Sequence, residues 1–271
     1  MRLQPVPPGA AVPLEDADAR LADGDMPSQE LRDELDTLTD RIDALQRALY
    51  AEGSRSLLVV LQGRDASGKD GTLRKVFGPL DPLGLTATSF KAPTDLELRH
   101  DFLWRVHHAA PPRGTVGVFN RSHYEDVLVV RVRRLAPESV WRPRYEQINL
   151  FERILTENET VILKFMLHIS RGEQRERLLA RLEDPEKHWK FNAEDLRERE
   201  LWDDYTAAYR EMLQRTSTAV APWHVVPADR KPIRDVLVAR LVTETLERMD
   251  PRYPGPPPEL GALRKALGAR D

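Results

Sequence analysis

The chain has 271 residues, of which 41% are hydrophobic and 31% charged, a balance typical of a globular protein with one large core. Its net charge of −3 argues against a nucleic-acid-binding protein, because such a surface is usually strongly basic. No run of about eighteen apolar residues predicts a membrane span. The N-terminus lacks a secretory signal, and without cysteine there is no disulfide or thiolate metal site. We therefore expect a cytoplasmic protein with neither a membrane nor a nucleic-acid partner.

Three regions of the chain differ in composition. Residues 1–27 are rich in proline, alanine and aspartate and predict an extended N-terminal arm. Residues 28–250 predict one domain, and residues 251–271 a proline-rich tail. Within residues 28–51, an apolar stripe predicts a helix that packs on the domain core, with a dimer-forming coiled coil as the alternative. The stripe consists of Leu31, Leu35, Leu38, Ile42, Leu45 and Leu49.

Short apolar runs alternate with helical patterns through the domain. The predicted strands are residues 56–62, 86–90, 115–120, 160–168 and 223–227. The predicted helices are residues 69–77, 94–106, 143–158, 172–183, 193–216 and 232–249. Apolar strands separated by helices indicate a parallel sheet that is covered on both faces. We therefore expect a three-layer, doubly wound α/β domain with about five parallel strands.

The first predicted strand leads into a loop of the form G-x-x-x-x-G-K, and a helix follows. This order predicts a P-loop, in which backbone N–H groups and the helix N-terminus bind phosphate oxygens. The lysine of the motif adds a full positive charge. The predicted phosphate-binding residues of the loop are Gly63, Arg64, Ala66, Ser67, Gly68, Lys69, Asp70 and Gly71.

Two acidic residues distinguish this loop from an ordinary ATP-binding P-loop. Asp70 follows Lys69 at the position where a Ser or Thr hydroxyl normally binds Mg²⁺. Asp65 places a carboxylate inside the loop, where it repels phosphate oxygens unless a divalent cation lies between them. The loop is therefore either inactive or holds its metal through Asp65, and we favour the second interpretation.

A second polar cluster follows the third predicted strand. Ligands of doubly wound sheets bind beyond the carboxyl ends of the strands, so this cluster should lie beside the P-loop. Arg121 offers a planar pair of donors for phosphate, and Asn120 can orient water or a phosphate oxygen. Glu125 and Asp126 are candidates for binding metal or nucleotide. His123 is more typical of a structural hydrogen-bonding residue.

Basic residues are concentrated in two later tracts. The first, residues 131–144, contains five arginines and one acidic residue. The second surrounds Pro185, which interrupts a charged helix and indicates a lid at about residues 171–200 that closes over the transferring phosphate. Part of this charge belongs to solvated helix faces with i,i+4 ion pairs. The predicted lid cations are Arg177, Arg181, Lys187 and Lys190.

Together these motifs resemble the polyphosphate kinase 2 family, P-loop phosphotransferases that use inorganic polyphosphate as donor or acceptor with nucleotides. The resemblance extends over about residues 56–246. It is carried by GRDASGKDG (63–71), FNRSHYEDV (119–127) and DPEKHWKF (184–191), with Trp202, Tyr205 and APWHVV (221–226) in support. The combination of motifs is highly specific, whereas none of the shorter pieces would be sufficient.

The resemblance implies roles for individual residues. Asp65 and Lys69 match the metal-associated acid and the phosphate-binding lysine, and Arg121 matches a phosphate contact beside the transfer point. Many members have Asp where this chain has Asn120, which puts metal ligation at that position in doubt. The implied catalytic residues are Asp65, Lys69, Asn120, Arg121 and Glu125, and the implied metal ligands are Asp65 and Glu125. The implied nucleotide contacts are Lys91, Arg105, Glu125 and Asp126.

The resemblance also implies an activity, the transfer of phosphoryl groups from polyphosphate to AMP and ADP and to their guanine equivalents. Mg²⁺ would be the cofactor, with Mn²⁺ as a substitute, and Glu125 resembles the residue of members that accept both nucleoside mono- and diphosphates. An ATP-dependent nucleotide kinase is one alternative, against which Asp70 argues. A catalytically silent polyanion-binding module is another, motivated by Asn120. Assembly into a homodimer or homotetramer is also expected.

Overall fold

The computed structural model describes residues 2–21, 27–191 and 194–268, and of Lys190 only the backbone. Its central element is strand β1 (Ser56–Gly63), all eight residues of which are buried. A strand with no exposed side must be covered on both faces. The layers on its two sides follow from this requirement.

Five parallel strands form the sheet. They are β1 (Ser56–Gly63), β2 (Leu85–Ser89), β3 (Val116–Asn120), β4 (Thr160–His168) and β5 (Trp223–Pro227). Their order is β2-β3-β1-β4-β5, so the chain leaves β1 for one edge and later crosses over to β4 on its other side. Each strand lies within one residue of its predicted bounds. The expected α/β fold with a five-stranded parallel sheet is confirmed.

Helices lie on both faces of the sheet. They are α1 (Ser28–Glu52), α2 (Lys69–Thr72), α3 (Trp104–Ala109), α4 (Val129–Val132), α5 (Glu138–Trp141), α6 (Arg144–Glu157), α7 (Arg171–Glu183), α8 (Glu194–Glu200), α9 (Trp202–Thr216), α10 (Lys231–Met249) and α11 (Leu260–Gly268). Single turns of 3-10 helix occur at Asp16–Ala19, Pro82–Gly84, Glu97–Arg99, His123–Asp126 and Pro185–Lys190, and α2 continues as a π-helical turn, Leu73–Phe77. Helices α1 and α10 pack on one face of the sheet and α6 and α9 on the other. This is the expected three-layer arrangement.

Helix α1 buries its apolar stripe within the same chain. Leu31, Leu35 and Ile42 are buried in a cluster that includes residues of α10 and of β1. The helix ends at Gly53, whose φ of 67° is the left-handed conformation common after a helix C-terminus. Packing on the domain core is therefore confirmed. The stripe is occupied and is not free to form a coiled coil.

Two predicted helices are each divided in the structure. In place of a helix over residues 94–106 there is a 3-10 turn followed by α3. Thr94 and Glu97 exchange hydrogen bonds between side chain and backbone, and the carboxylate of Asp101 accepts from the backbone N of Leu103 at 2.9 Å. Such local bonds satisfy the backbone and begin new turns. The predicted helix over residues 193–216 is divided at Leu201 into α8 and α9; residue 193 lies outside the described residues.

The two ends of the chain differ in how they contact the domain. In the described part of the N-terminal segment, Leu3, Val6 and Leu14 are buried, and the backbone N of Val6 donates to the carbonyl of Trp223 at 2.8 Å. The proline-rich tail contains α11, which was not predicted and buries none of its residues. Within the described ranges, no helix is both long and apolar enough to cross a membrane.

Candidate functional site

The loop after β1 has an unusual backbone. Gly63, Ala66 and Gly68 have φ values of 152°, 62° and 105°. A Cβ at Gly63 would lie 2.6 Å from the carbonyl oxygen of Leu167, so only glycine fits there. Ala66 is a non-glycine residue in the left-handed region, a kind of strain that is concentrated at functional sites. With a strand before it and α2 after it, the loop has the phosphate-binding arrangement predicted.

A cavity of about 870 Å³ opens over this loop. Its walls are the loop, the end of β3, the start of α10 and the lid, which here means α7, the turn Pro185–Lys190 and α8. Among the described residues, the lining contains eight basic and five acidic side chains, although the whole chain has a net charge of −3. The basic ones are Lys69, Arg74, Arg121, Arg177, Arg181, Lys187, Lys231 and Arg234, and the acidic ones are Asp65, Asp70, Glu173, Glu176 and Asp195. This excess of positive charge favours a polyanionic ligand.

Lys69 lies inside the loop. Its Nζ donates to the carbonyl oxygens of Gly63 at 2.6 Å and Arg64 at 3.0 Å, and the residue is buried. Burial, together with the positive charge of Arg121, lowers the pKa of Lys69 to about 8. The ammonium group is therefore held at the phosphate-binding loop with its proton less firmly bound than in water.

Arg121 joins two carboxylates beside the loop. It contacts Asp65, and its Nη1 donates to Oε2 of Glu125 at 3.2 Å. Glu125 and Asp65 raise the pKa of Arg121 further. Burial alone would raise the pKa of Asp65, but Arg121, Lys69 and Arg181 outweigh it and hold that pKa below its ordinary value. The loop carboxylate is therefore ionised at neutral pH, which the expected metal-binding role requires.

The acidic residues fit a metal ion that is shared with phosphate oxygens. Asp65 lines the cavity, whereas Glu125 lines neither this cavity nor any other described here: its Oε1 is buried without a hydrogen-bond partner among the described residues, and its Oε2 pairs with Arg121. The part of the chain that is described contains no group of three acidic or histidine residues that could enclose an ion. Mg²⁺ in phosphate-transfer sites is commonly bound by one or two carboxylates, water and the substrate phosphates. Asp65 meets that smaller requirement from the cavity wall, and Glu125 lies behind Arg121, which pairs with both carboxylates.

Asn120 and Asp70 are bound to each other. Nδ2 of Asn120 donates to Oδ1 of Asp70 at 2.6 Å, and both residues line the cavity. The amide therefore orients the carboxylate that stands in the usual place of a P-loop hydroxyl.

Arg177 does not behave as a movable lid cation. Its buried guanidinium donates to the carbonyls of Ala66 at 2.9 Å and Ser67 at 3.2 Å, and to those of Ala228 and Asp229 at 2.7 Å each. It therefore ties the P-loop to α7 and to the end of β5. Its contribution to the site is to fix the loop backbone, which corrects the prediction of a mobile phosphate contact.

The other predicted lid cations differ from Arg177. Arg181 lines the cavity and donates to Asp195 of α8 at 3.3 Å. Lys187 lines the cavity from the turn of the lid and pairs with Asp184 at 2.5 Å while remaining 52% exposed. The side chain of Lys190 lies outside the described residues.

Arg64 is turned away from the cavity. Its guanidinium lies 3.7 Å from the ring centre of Trp202 and donates to the carbonyl of Trp202 at 2.9 Å. Burial lowers the pKa of Arg64 to about 10. The predicted phosphate contact by this side chain is therefore corrected to a contact between the loop and α9. Ser67 is fully buried and Gly63 lies beneath the loop, so neither lines the cavity, whereas Ala66, Gly68 and Gly71 do.

The predicted nucleotide contacts are divided between two places. Lys91 and Arg105 line a neighbouring cavity of about 590 Å³, and Nη1 of Arg105 donates to the carbonyl of Lys91 at 2.8 Å. Ser89, at the end of β2, lines both cavities. Asp126 lines neither cavity in the described part of the chain: it pairs with Arg144 at 2.9 Å, and burial raises its pKa to about 6. The structure therefore favours a structural role for Asp126.

Three basic residues of the cavity were missed from the sequence. Lys231 and Arg234 lie at the start of α10, and Arg74 lies in the turn after α2. Nη1 of Arg234 donates to the carbonyl of Ser67 at 3.2 Å, and a Cβ on Gly68 would lie 1.8 Å from that nitrogen. The available signal was basic residues three positions apart, at the start of a helix that follows the last strand. That strand ends at the same edge of the sheet as β1.

Comparisons with known proteins agree with this geometry. A family model described as polyphosphate kinase 2 (PPK2) matches residues 25–254. An AMP/ADP-polyphosphate phosphotransferase of Meiothermus ruber is 52% identical over 222 residues, which cover 82% of this chain and 83% of that protein. An ADP-polyphosphate phosphotransferase of Rhodopseudomonas palustris is 45% identical over 245 residues, with 86% and 84% covered. The crystal structure of polyphosphate kinase 2 from Arthrobacter aurescens TC1 superimposes with a TM-score of 0.89 at 40% identity, with 99% of both chains covered.

Proposed function

The chain belongs to the polyphosphate kinase 2 family, and from that premise we propose that it transfers phosphoryl groups between inorganic polyphosphate and nucleotides. The observation that carries this proposal is the cavity of about 870 Å³ over the P-loop, lined by an excess of basic side chains. A long inorganic polyanion needs such a lined groove, and its bare phosphate oxygens offer little else for a protein to recognise.

AMP and ADP are the proposed acceptors, with their guanine equivalents. The similar proteins from M. ruber and R. palustris carry AMP and ADP in their names. Lys91 and Arg105 make the neighbouring cavity a basic site for the acceptor. This site adjoins the P-loop cavity, because Ser89 lines both. A nucleotide there would direct its terminal phosphate towards the loop. Glu125, beside Arg121, supports acceptance of both mono- and diphosphates by its position in the motif.

The proposed reaction is a direct transfer between two phosphates. A terminal oxygen of the acceptor phosphate attacks the terminal phosphorus of polyphosphate in line, and the bond to the bridging oxygen breaks. Lys69, Arg121 and the lid cations stabilise the negative charge on the equatorial oxygens. Mg²⁺, for which Mn²⁺ could substitute, would be held by Asp65 and Glu125 and would neutralise charge on the bridging oxygens. The arrangement requires no covalent intermediate on the enzyme.

The test is phosphotransfer from polyphosphate to AMP, ADP, GMP and GDP, with products separated by chromatography. The proposal expects ATP from ADP and ADP from AMP, and activity lowered at least about a hundredfold in Asp65→Asn and Lys69→Ala. Lys75→Ala, an exposed residue that does not line the cavity, is the matched control. Transfer from ATP to AMP without polyphosphate would favour an ordinary nucleotide kinase. Binding without turnover would favour the silent module.

Three further expectations belong to this proposal. Cytoplasmic location and homo-oligomeric assembly, as a dimer or tetramer, stay predictions from the sequence and from the family. The expectation of no nucleic-acid partner also stays a prediction. Sedimentation of the purified chain with and without polyphosphate would test the oligomeric state.

A further inference from the structure

A buried ionic cluster lies behind the active site and outside both cavities. Nζ of Lys164, on β4, donates to Oε2 of Glu152 at 2.6 Å, to the hydroxyl of Tyr124 at 2.8 Å and to the carbonyl of Thr216 at 2.7 Å. The side chains of Lys164 and Glu152 are 0% and 1% exposed. The cluster therefore joins β4, α6 and α9 at the turn that follows β3.

Stability alone does not account for this cluster. Removing two charges from water costs several kcal/mol per ion, and replacing a buried ion pair with well-packed apolar residues is often neutral or stabilising. Burial alone would raise the pKa of Glu152, but Lys164 and His123 outweigh it and hold the pKa below its ordinary value. The charges are therefore retained in the core, where they fix geometry more effectively than they add stability.

The group that the cluster holds is the turn His123–Asp126. The hydroxyl of Tyr124 donates to Oε1 of Glu152 at 2.6 Å, and Nε2 of His123 lies 3.3 Å from the same oxygen. Both residues are fully buried, and they lie between Arg121 and Glu125 in the chain. Two adjacent side chains of the motif are thus anchored to one carboxylate.

The residues just before this turn, Arg121 and Ser122, are bonded to the central strand β1. The backbone N of Arg121 donates to the carbonyl of Leu61 at 3.0 Å, and Nε2 of Gln62 donates to Oγ of Ser122 at 3.1 Å. Arg121 has a φ of 61°, a conformation that costs about 1 kcal/mol or more in a non-glycine residue and persists only where the surroundings fix it. The segment is therefore held from β1 on one side and from Glu152 on the other.

We propose that Lys164, Glu152 and Tyr124 are positioning residues, which hold the turn so that Glu125 supports Arg121 and Arg121 faces Asp65 and the transferring phosphate. None of the three lines the P-loop cavity, so they act through the turn and not on the substrate. This inference rests on the proposed phosphotransferase activity. It also explains why the sequence places His and Tyr inside a motif whose neighbours contact phosphate.

The first test is Tyr124→Phe, which removes the hydroxyl but keeps the ring against Trp223, 4.7 Å away between ring centres. We expect kcat to fall roughly tenfold to a hundredfold, because misplacing a catalytic group by a fraction of an ångström has effects of that order. KM for polyphosphate should stay within about twofold, because Lys69 and the rest of the basic lining are unchanged.

The matched control is Val242→Ala, a fully buried residue of α10 on the opposite face of the sheet. It should lower the melting temperature by about as much as Tyr124→Phe does, but it should not lower kcat at a temperature well below melting. Equal loss of kcat in the two variants would mean that Tyr124 acts only through stability, and the inference would be wrong.

A second variant separates function from folding. Lys164→Met/Glu152→Leu/Tyr124→Phe replaces the cluster with apolar side chains, and we expect a melting temperature near that of the wild type but kcat as low as in Tyr124→Phe. Wild-type kcat in this variant would overturn the inference, and if it does not fold, Tyr124→Phe decides. An inactive wild type would reject the proposed function itself, whereas an active wild type with fully active variants would reject only the positioning role.

Discussion

The floor of the cavity, which here means the P-loop and Arg177, and the turn Pro185–Lys190 of the lid both contribute positive charge, but they hold it in different ways. Lys69 is buried and bonded to two loop carbonyls, and Arg177 is buried and bonded to four carbonyls. Lys187 is 52% exposed and pairs with Asp184, three positions away, and Trp189 in the same turn is 78% exposed. Charge on the floor is therefore fixed by distant parts of the fold before binding, whereas the charge of Lys187 in the turn is paired locally along the chain.

This difference matters for catalysis. Groups that stabilise a transition state are most effective when they need no reorganisation as the charge develops. The P-loop side of the cavity meets that condition, because its donors are bonded to distant parts of the fold. The turn of the lid has few such bonds among the described residues, and it can change position around substrates of different length at little cost.

The largest effect that would sharpen the comparison is expected for Arg177→Ala. Removing this guanidinium takes a donor from four carbonyls, of which that of Ser67 keeps Arg234, and should lower the free energy of unfolding by about 3 kcal/mol and activity by about a hundredfold. Urea denaturation and kcat/KM for polyphosphate measure the two effects.

The control for Arg177 lies on the same helix. Arg175 is 63% exposed and pairs only with the adjacent Glu176, at 3.2 Å, among the bonds described. Arg175→Ala should change the free energy of unfolding by no more than about 0.5 kcal/mol and kcat/KM by less than about twofold. If Arg177→Ala behaved like Arg175→Ala, the distinction between fixed and exposed cations in this helix would be wrong.

The position of Arg177 illustrates what the sequence could not supply. The P-loop was predictable because strand, glycine-rich loop and helix are consecutive, and each imposes a local conformation. Arg177 was correctly assigned to the site but incorrectly to its mobile part, since its acceptors at residues 66–67 and 228–229 come from two distant segments. No local pattern indicates which carbonyls a guanidinium will meet.

Arg64 and Arg234 failed to follow the sequence pattern for the same reason. Arg64 lies within the phosphate-binding motif, yet stacking on Trp202 of α9 takes its side chain away from the cavity. Arg234 lies far from the motif in sequence, yet the parallel sheet brings its helix to the loop. Short apolar runs predicted the order of the strands well, because a strand that is buried on both faces is apolar along its whole length. Side-chain direction depends on tertiary packing and was not available.

An effect of intermediate size is expected in the pH dependence of kcat/KM, through the buried charge of Lys69. Because the pKa of Lys69 is lowered to about 8, its ammonium loses the proton as pH rises through that value in the free enzyme. We therefore expect kcat/KM for polyphosphate to fall by up to about tenfold per pH unit above pH 8. At saturating polyphosphate kcat should fall less, since bound phosphate favours the charged lysine.

A charge-retaining variant is the control for this pH profile. Lys69→Arg keeps its charge throughout, so its lower activity should show no decline in this range. Rates must be compared at constant free Mg²⁺, because metal binding by phosphate also varies with pH. A wild-type kcat/KM that is flat to pH 10, or an equal decline in the variant, would contradict the assignment of the pKa to Lys69.

The smallest effect is expected at the exposed side of the cavity. Lys187→Ala removes one half-exposed charge whose surface pairing with Asp184 contributes little to stability, so the fold should be unaffected. KM for polyphosphate should rise about threefold to tenfold with little change in kcat, and the ratio between variant and wild type should shrink as salt is raised from low concentration. Asp184→Asn removes the pairing acid and keeps the lysine, and it should lower KM slightly. A large fall in kcat for Lys187→Ala with unchanged KM would show that the lid cation is already placed for the transition state, and the contrast between a fixed floor and an adjustable lid would then be wrong.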